Sequence, residues 1–172
     1  MDVTSRPDGT ATAHSYVAER LTYDSVHDFG TTRARFEEQV PVFDIAVALD
    51  LIRSAASWDK VVAAVEARVG PTGLAAMARL DQGALLSLRD EPIEATLYLV
   101  GNPVLAREVI GAQRCATLYA PFRVAVYGDA SGAHVTYDQP SSVFASVGSS
   151  IVDTIAVQLD DKIRTAAEEA CR

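Results

Sequence analysis

The chain has 172 residues, 49% of them hydrophobic and 22% charged, with a formal net charge of −8 and a pI near 4.8. That is the composition of one globular domain with a sizeable core. Its acidity and its dispersed Lys and Arg residues disfavour nucleic acid and anionic membrane surfaces, both of which require a basic face.

Two cysteines, Cys115 and Cys171, stand outside any Cys-x-x-Cys pair, and are expected as free thiols in a reducing cytoplasm. The start is polar, without an apolar signal core, and no apolar run approaches the ~20 residues that a bilayer span requires.

In chain order, residues 1–13 are rich in Thr, Ser, Gly, Asp and Pro and are expected as a flexible leader; residues 14–172 are expected as a single domain. Tyr16 to Tyr23 reads as a first strand, with Glu19 marking it as an edge. Asp28 caps a helix carrying Phe29, Phe36 and Val40 on one stripe, stopped by Pro41. Asp44 introduces a second helix, Ile45 to Ser54, with Leu49 and Ile52 expected inward. Ser57 begins a third, Trp58 to Val69, ended by Gly70-Pro71-Thr72-Gly73, with Trp58 expected as a core anchor. Leu74 to Leu80 is a strand of small residues, and Gln82 to Pro92 fits a helical turn or a short strand equally well.

Thr96 to Val100 is β-branched, aromatic and aliphatic, the pattern of a buried central strand. In Gly101-Asn102-Pro103, Asn102 is an N-cap and Pro103 a first helical residue. Phe122 to Tyr127 and Ala133 to Tyr137 form a hairpin across Gly128-Asp129-Ala130-Ser131-Gly132. Phe122, Val124 and Val126 are its core face, and Arg123 and Tyr127 lie on a wetter side. Residues 141–148 read as a small-residue connection, followed by a helix over 151–170 with Val152, Ile155, Leu159, Ile163 and Ala166 on its stripe. The fold class is therefore α+β: a two-layer sandwich of about five mostly antiparallel strands with helices packed on the sheet.

Gly101-Asn102-Pro103, the segment Tyr119-Ala120-Pro121-Phe122-Arg123-Val124 and the segment Val135-Thr136-Tyr137-Asp138-Gln139-Pro140 resemble the domain-of-unknown-function family numbered 302, in its longer, actinobacterial-type form. Leu74 to Asp81 is similar to that family's upstream strand. The resemblance implies a small α+β sandwich that tends to dimerise, and it implies no agreed activity. The chain departs from the family's pattern at Gln82, where a His often follows the Asp; glutamine does not titrate and so carries no acid–base role.

No Walker loop, dinucleotide fingerprint, nucleophile elbow or metal-ligand spacing is present in the sequence, and no cofactor or metal is expected. The candidate ligand-binding residues are Asp81, Asn102, Arg123, Tyr137 and Asp138. If the strands ending in Asp81 and Gly101 run parallel, Asp81 and Asn102 share one rim of the sheet. Arg123 joins that rim if its own strand is antiparallel to them, and Tyr137 and Asp138 are then expected at the opposite rim, so that a dimer partner would have to complete the group. Asn102 offers a helix N-terminus, Arg123 a cation for a carboxylate, and Tyr137 a hydroxyl. The bland reading is a set of turn and cap residues with an Arg123–Asp138 bridge tying the hairpin. The expected function is a dimeric cytoplasmic protein that binds a small molecule; the alternative is a cofactor-independent enzyme of isomerase, lyase or cyclase type using Asp81, Tyr137 or Asp138 for proton transfer.

Overall fold

Among the described residues side-chain alternation resolves into five strands: β1 (Arg20–Asp24), β2 (Ala75–Asp81), β3 (Ala95–Gly101), β4 (Phe122–Asp129) and β5 (Gly132–Asp138). The computed structural model describes residues 13–89 and 91–172, so the expected leader lies outside the described residues except for Ala13. The strands form one sheet in the order β1-β5-β4-β3-β2, antiparallel throughout. β2 to β5 are a meander of sequence neighbours, and β1 joins the far edge beside β5. The first strand starts later than its sequence suggests, because Val17, 88% exposed, has no sheet partner to cover it. At the turn between β4 and β5, Gly132 has φ +133, a conformation an L side chain rarely adopts.

Among the described residues seven helices accompany the sheet: α1 (Phe29–Gln39), α2 (Ile45–Arg53), α3 (Trp58–Glu66), α4 (Gln82–Leu86), α5 (Pro103–Ala112), α6 (Pro140–Phe144) and α7 (Ser150–Cys171). The architecture is α+β. α6 and a 3₁₀ turn at Arg114–Leu118 occupy stretches with no clear sequence signal. Asp28 caps α1 by accepting from Thr31 N at 2.7 Å. The α7 stripe is buried at Val152, Leu159, Ile163 and Ala166, against Phe36 of α1, Val109 of α5 and the sheet residues Tyr98, Val100, Val124, Val135 and Tyr137.

One row across the sheet, Arg79, Tyr98, Val124, Tyr137 and Leu21, turns toward these helices. The neighbouring row, Leu80, Leu97, Ala125, Thr136 and Thr22, turns the other way. Its members are half-buried or exposed, and Leu80 is 46% exposed.

α2 and α3 sit at the β2 end of the molecule, around a second small cluster of Phe43, Val65 and Ala75. There the structure corrects two expectations. Leu49 and Ile52 are 42% and 74% exposed rather than inward, and α2 buries no residue. Trp58 is 45% exposed and is not a core anchor. The apolar stripes exist, and Val65 on that of α3 is buried, but Leu49, Ile52 and Trp58 remain largely exposed among the described residues. Among the described residues no helix is long and apolar enough to cross a membrane.

Candidate functional site

Asn102 follows the central strand β3 and caps α5. Its Oδ1 accepts from Val104 N at 2.8 Å and Leu105 N at 3.3 Å, and its Nδ2 donates to Gly73 O at 2.9 Å. Its amide is thus committed on both sides to protein. Beside it lies an inner cavity of about 230 Å³ between the end of β3, α5, α6 and α7, with Val100, Pro103, Val109, Phe122, Phe144 and Leu159 in its walls. The lining is almost wholly apolar. Tyr119, at its margin, accepts a hydrogen bond from Ser146 Oγ at 3.2 Å.

A second, outer cavity of about 540 Å³ shares Tyr119, Pro121, Phe122 and Phe144 with the first and adds Tyr16, Leu99, Arg123 and Asp138. Arg123 and Asp138 stand here at the same rim. In an antiparallel hairpin the start of one strand faces the end of the other, as the Val124–Tyr137 pairing shows. The expectation that Tyr137 and Asp138 lie at the rim opposite Arg123 is thereby corrected, and no partner subunit is needed to bring Arg123 and Asp138 together. The expected Arg123–Asp138 bridge is absent as well: Asp138 accepts instead from Arg20 Nε of β1 at 2.8 Å. Arg123 forms no ion pair among the described residues. It is exposed, so water meets its charge and no partner is obligatory.

The other two candidates lie elsewhere. Asp81 pairs in register with Thr96, and β2 is antiparallel to β3, so Asp81 sits at the rim opposite Asn102. It caps α4, accepting from Ala84 N at 3.0 Å. Tyr137 faces the helices rather than the side of the sheet that carries Arg123, stacks on Tyr23 with ring centroids 6.1 Å apart, and meets that residue's hydroxyl at 3.5 Å. Burial, reinforced by the Tyr23 hydroxyl, pushes its phenol above the usual tyrosine range. Of the five residues, then, the structure gathers Asn102, Arg123 and Asp138 around the two adjoining cavities and leaves Asp81 and Tyr137 out.

Sequence reasoning missed a buried histidine. His134 lies on β5 with its side chain 8% exposed; Nδ1 meets Asp24 Oδ1 of β1 at 2.9 Å, and Nε2 meets Asp129 Oδ1 at 3.2 Å and Ser131 Oγ at 3.1 Å. Tyr127 stacks on its ring at 4.8 Å. The distances among Ser131, His134 and Asp24 are those of a Ser-His-Asp relay. Yet Ser131 Oγ donates to Asp129 Oδ1 at 2.5 Å, and none of these residues lines a cavity described above. The cluster fastens β1 to the hairpin. Among the described residues no group of three or more His, Cys, Asp or Glu side chains could hold a metal ion.

A third cavity, of about 420 Å³, opens between α2 and α3 and is lined by Phe43, Ile45, Ile52, Trp58, Met77 and Pro103 among others. Met77 and Pro103 also line the inner cavity.

The family described as "Domain of unknown function DUF302" matches residues 52–170. Among solved structures, the chain is similar to the crystal structure of an uncharacterized conserved DUF302 protein from Bacillus stearothermophilus, with a TM-score of 0.63 and 15% identity over 89% of this chain and 98% of that one. At that identity the likeness is one of fold. No curated protein matches.

Proposed function

This chain belongs to the DUF302 family, and from that premise we propose that it is a small-molecule binding protein whose ligand places an apolar body in the inner cavity beside Asn102. The carrying observation is the cavity itself: about 230 Å³ of apolar space between sheet and helices. Close-packed interiors leave few voids larger than a water molecule. A dry apolar cavity of even ~150 Å³ takes up benzene. With the Asn102 amide and the Tyr119 hydroxyl each partly engaged by protein, the cavity offers a ligand mainly contact area. The adjoining outer cavity supplies Arg123 for an acidic group on the same molecule. The enzymatic alternative has less support, since Asp81 caps a helix at the far rim, Tyr137 is turned into the core and Asp138 is held by Arg20.

Benzene titrated into the protein tests the reading. The methyl NMR signals of Val100, Val109 and Leu159 are expected to shift and the melting temperature to rise, by mass action on the folded state. Unmoved methyl signals at saturating benzene would end the proposal. A cytoplasmic setting is part of the same reading and is supported by the free thiols of Cys115 and Cys171.

A further inference from the structure

We infer that the inner cavity and the α2–α3 cavity are two lobes of one site, joined past Met77, and that the ligand's apolar body is an unbranched alkyl chain running through both. This rests on the small-molecule reading above and names the ligand's chemical class.

The two cavities have Met77 and Pro103 in common walls. Met77 sits where the β2–β3 register slips: Ala76 pairs with Val100 and Ala78 with Leu99, leaving Met77 as the extra residue of a bulge. A bulge re-aims a side chain and loosens the ladder around it. Methionine, with its unbranched thioether, is the residue best able to swing between rotamers at low cost. Pro103, which lines the same two cavities, is fixed at the first turn of α5. One wall is therefore rigid and the other adjustable.

The size of the lobes points the same way. At about 230 Å³ the inner lobe alone falls short of the roughly 300–1,000 Å³ of ordinary ligand sites, whereas with the α2–α3 cavity of about 420 Å³, the outer lobe of this site and distinct from the cavity at Arg123, it lies within that range. The walls are aliphatic and aromatic in both lobes, and the Oδ1 of Asn102 is taken up by Val104 N and Leu105 N and one of its two amide N–H groups by Gly73 O, which leaves little polar surface to select a polar body. A compact ring fits one lobe; only a narrow flexible chain passes a single side chain to occupy both. The mouth of the outer lobe carries Ile45, Ile52 and Trp58 at 63%, 74% and 45% exposure, apolar surface that α2 keeps open although no described element covers it.

Trp58 is the sole tryptophan and lines only the outer lobe, so one titration reads both lobes. Decanol is the probe. The expected result is a blue shift of Trp58 emission and displacement of the Val109 and Leu159 methyl signals with the same apparent Kd. Ala106→Phe, which fills the inner lobe, is expected to weaken decanol binding by roughly tenfold or more. Leu105→Phe replaces it if circular dichroism shows Ala106→Phe unfolded. A Trp58 response with unmoved inner methyl signals, or undiminished affinity in the filled variant, overturns the two-lobe site. Benzene binding without decanol binding overturns the alkyl chain and leaves the smaller reading standing. Failure of both probes removes the small-molecule reading together with its extension.

Discussion

Between Asp24 and Asp129, the His134 ring is held at both nitrogens. Burial works against its charge and is the largest single influence, but the hydrogen bonds it donates to the two carboxylates, with their charges, outweigh it and its pKa is raised above the ordinary 6.5. Asp129, held chiefly by Ser131 and then by His134, falls to about 2. A folded-state pKa raised above the unfolded value gives stability that is complete below about pH 6.5 and fades as pH rises through the raised value. His134→Gln should therefore cost about 1–2 kcal/mol near pH 6 and less in alkaline buffer; urea melts of both proteins across pH check this, and equal losses at every pH would contradict it. Arg123 is the opposite case. Exposed and without an ion pair among the described residues, it should be replaceable by Ala with the melting temperature unchanged, while binding of an acidic ligand weakens; a large thermal loss would show a structural role instead. Neither environment was legible in the sequence. His134 meets Asp24 only through the β1–β5 register, across 110 residues, and Arg123 loses Asp138 to Arg20, a residue that no hairpin pattern mentions.

At the scale of elements, the stripes and caps were readable because they are local. Asn102 was recognisable as a cap from Gly-Asn-Pro alone, and Asn102→Ala should cost about 1 kcal/mol from the cap, with the lost bond to Gly73 adding to it; thermal denaturation measures the sum. The hairpin from Phe122 to Tyr137 was likewise readable from alternation and a glycine-rich turn. α2 shows where such reading stops. Periodicity identifies the apolar face of a helix, but not whether anything lies over it. Ile52, 74% exposed, should tolerate Ala with a loss within about 0.5 kcal/mol. Fully buried Ile163 on α7 should lose about 2–5 kcal/mol on the same substitution. A comparable loss at both positions would mean that α2 is covered in solution. Whether Asp81 shares a rim with Asn102 stayed open in the sequence for a related reason: a strand's direction within a sheet is set by its neighbours, and β2 and β3 carry no sequence mark distinguishing parallel from antiparallel pairing.

For the whole molecule, helices dress one face of the sheet, and the row through Leu80, Leu97 and Ala125 is left half-bare on the other. We propose a second copy of the chain as its cover, in an isologous dimer, and sedimentation equilibrium at tens of micromolar should show it; a pure monomer there would reject it. Leu97→Lys should shift the equilibrium to monomer without unfolding the protein, since the side chain already meets solvent. The strand order has a kinetic side too. β2 to β5 pair with sequence neighbours through connections far shorter than the one that brings β1 to β5, as the Arg20–Asp138 pair, 118 residues apart, illustrates. Long closures come late and open early. In hydrogen–deuterium exchange the amides of β1 should be released first, as a cooperative unit, while the meander keeps its protection. The free edge of β5 then exposed is an unpaired template, so a brief loss of β1 is the route by which this fold would exchange strands between copies or begin to aggregate.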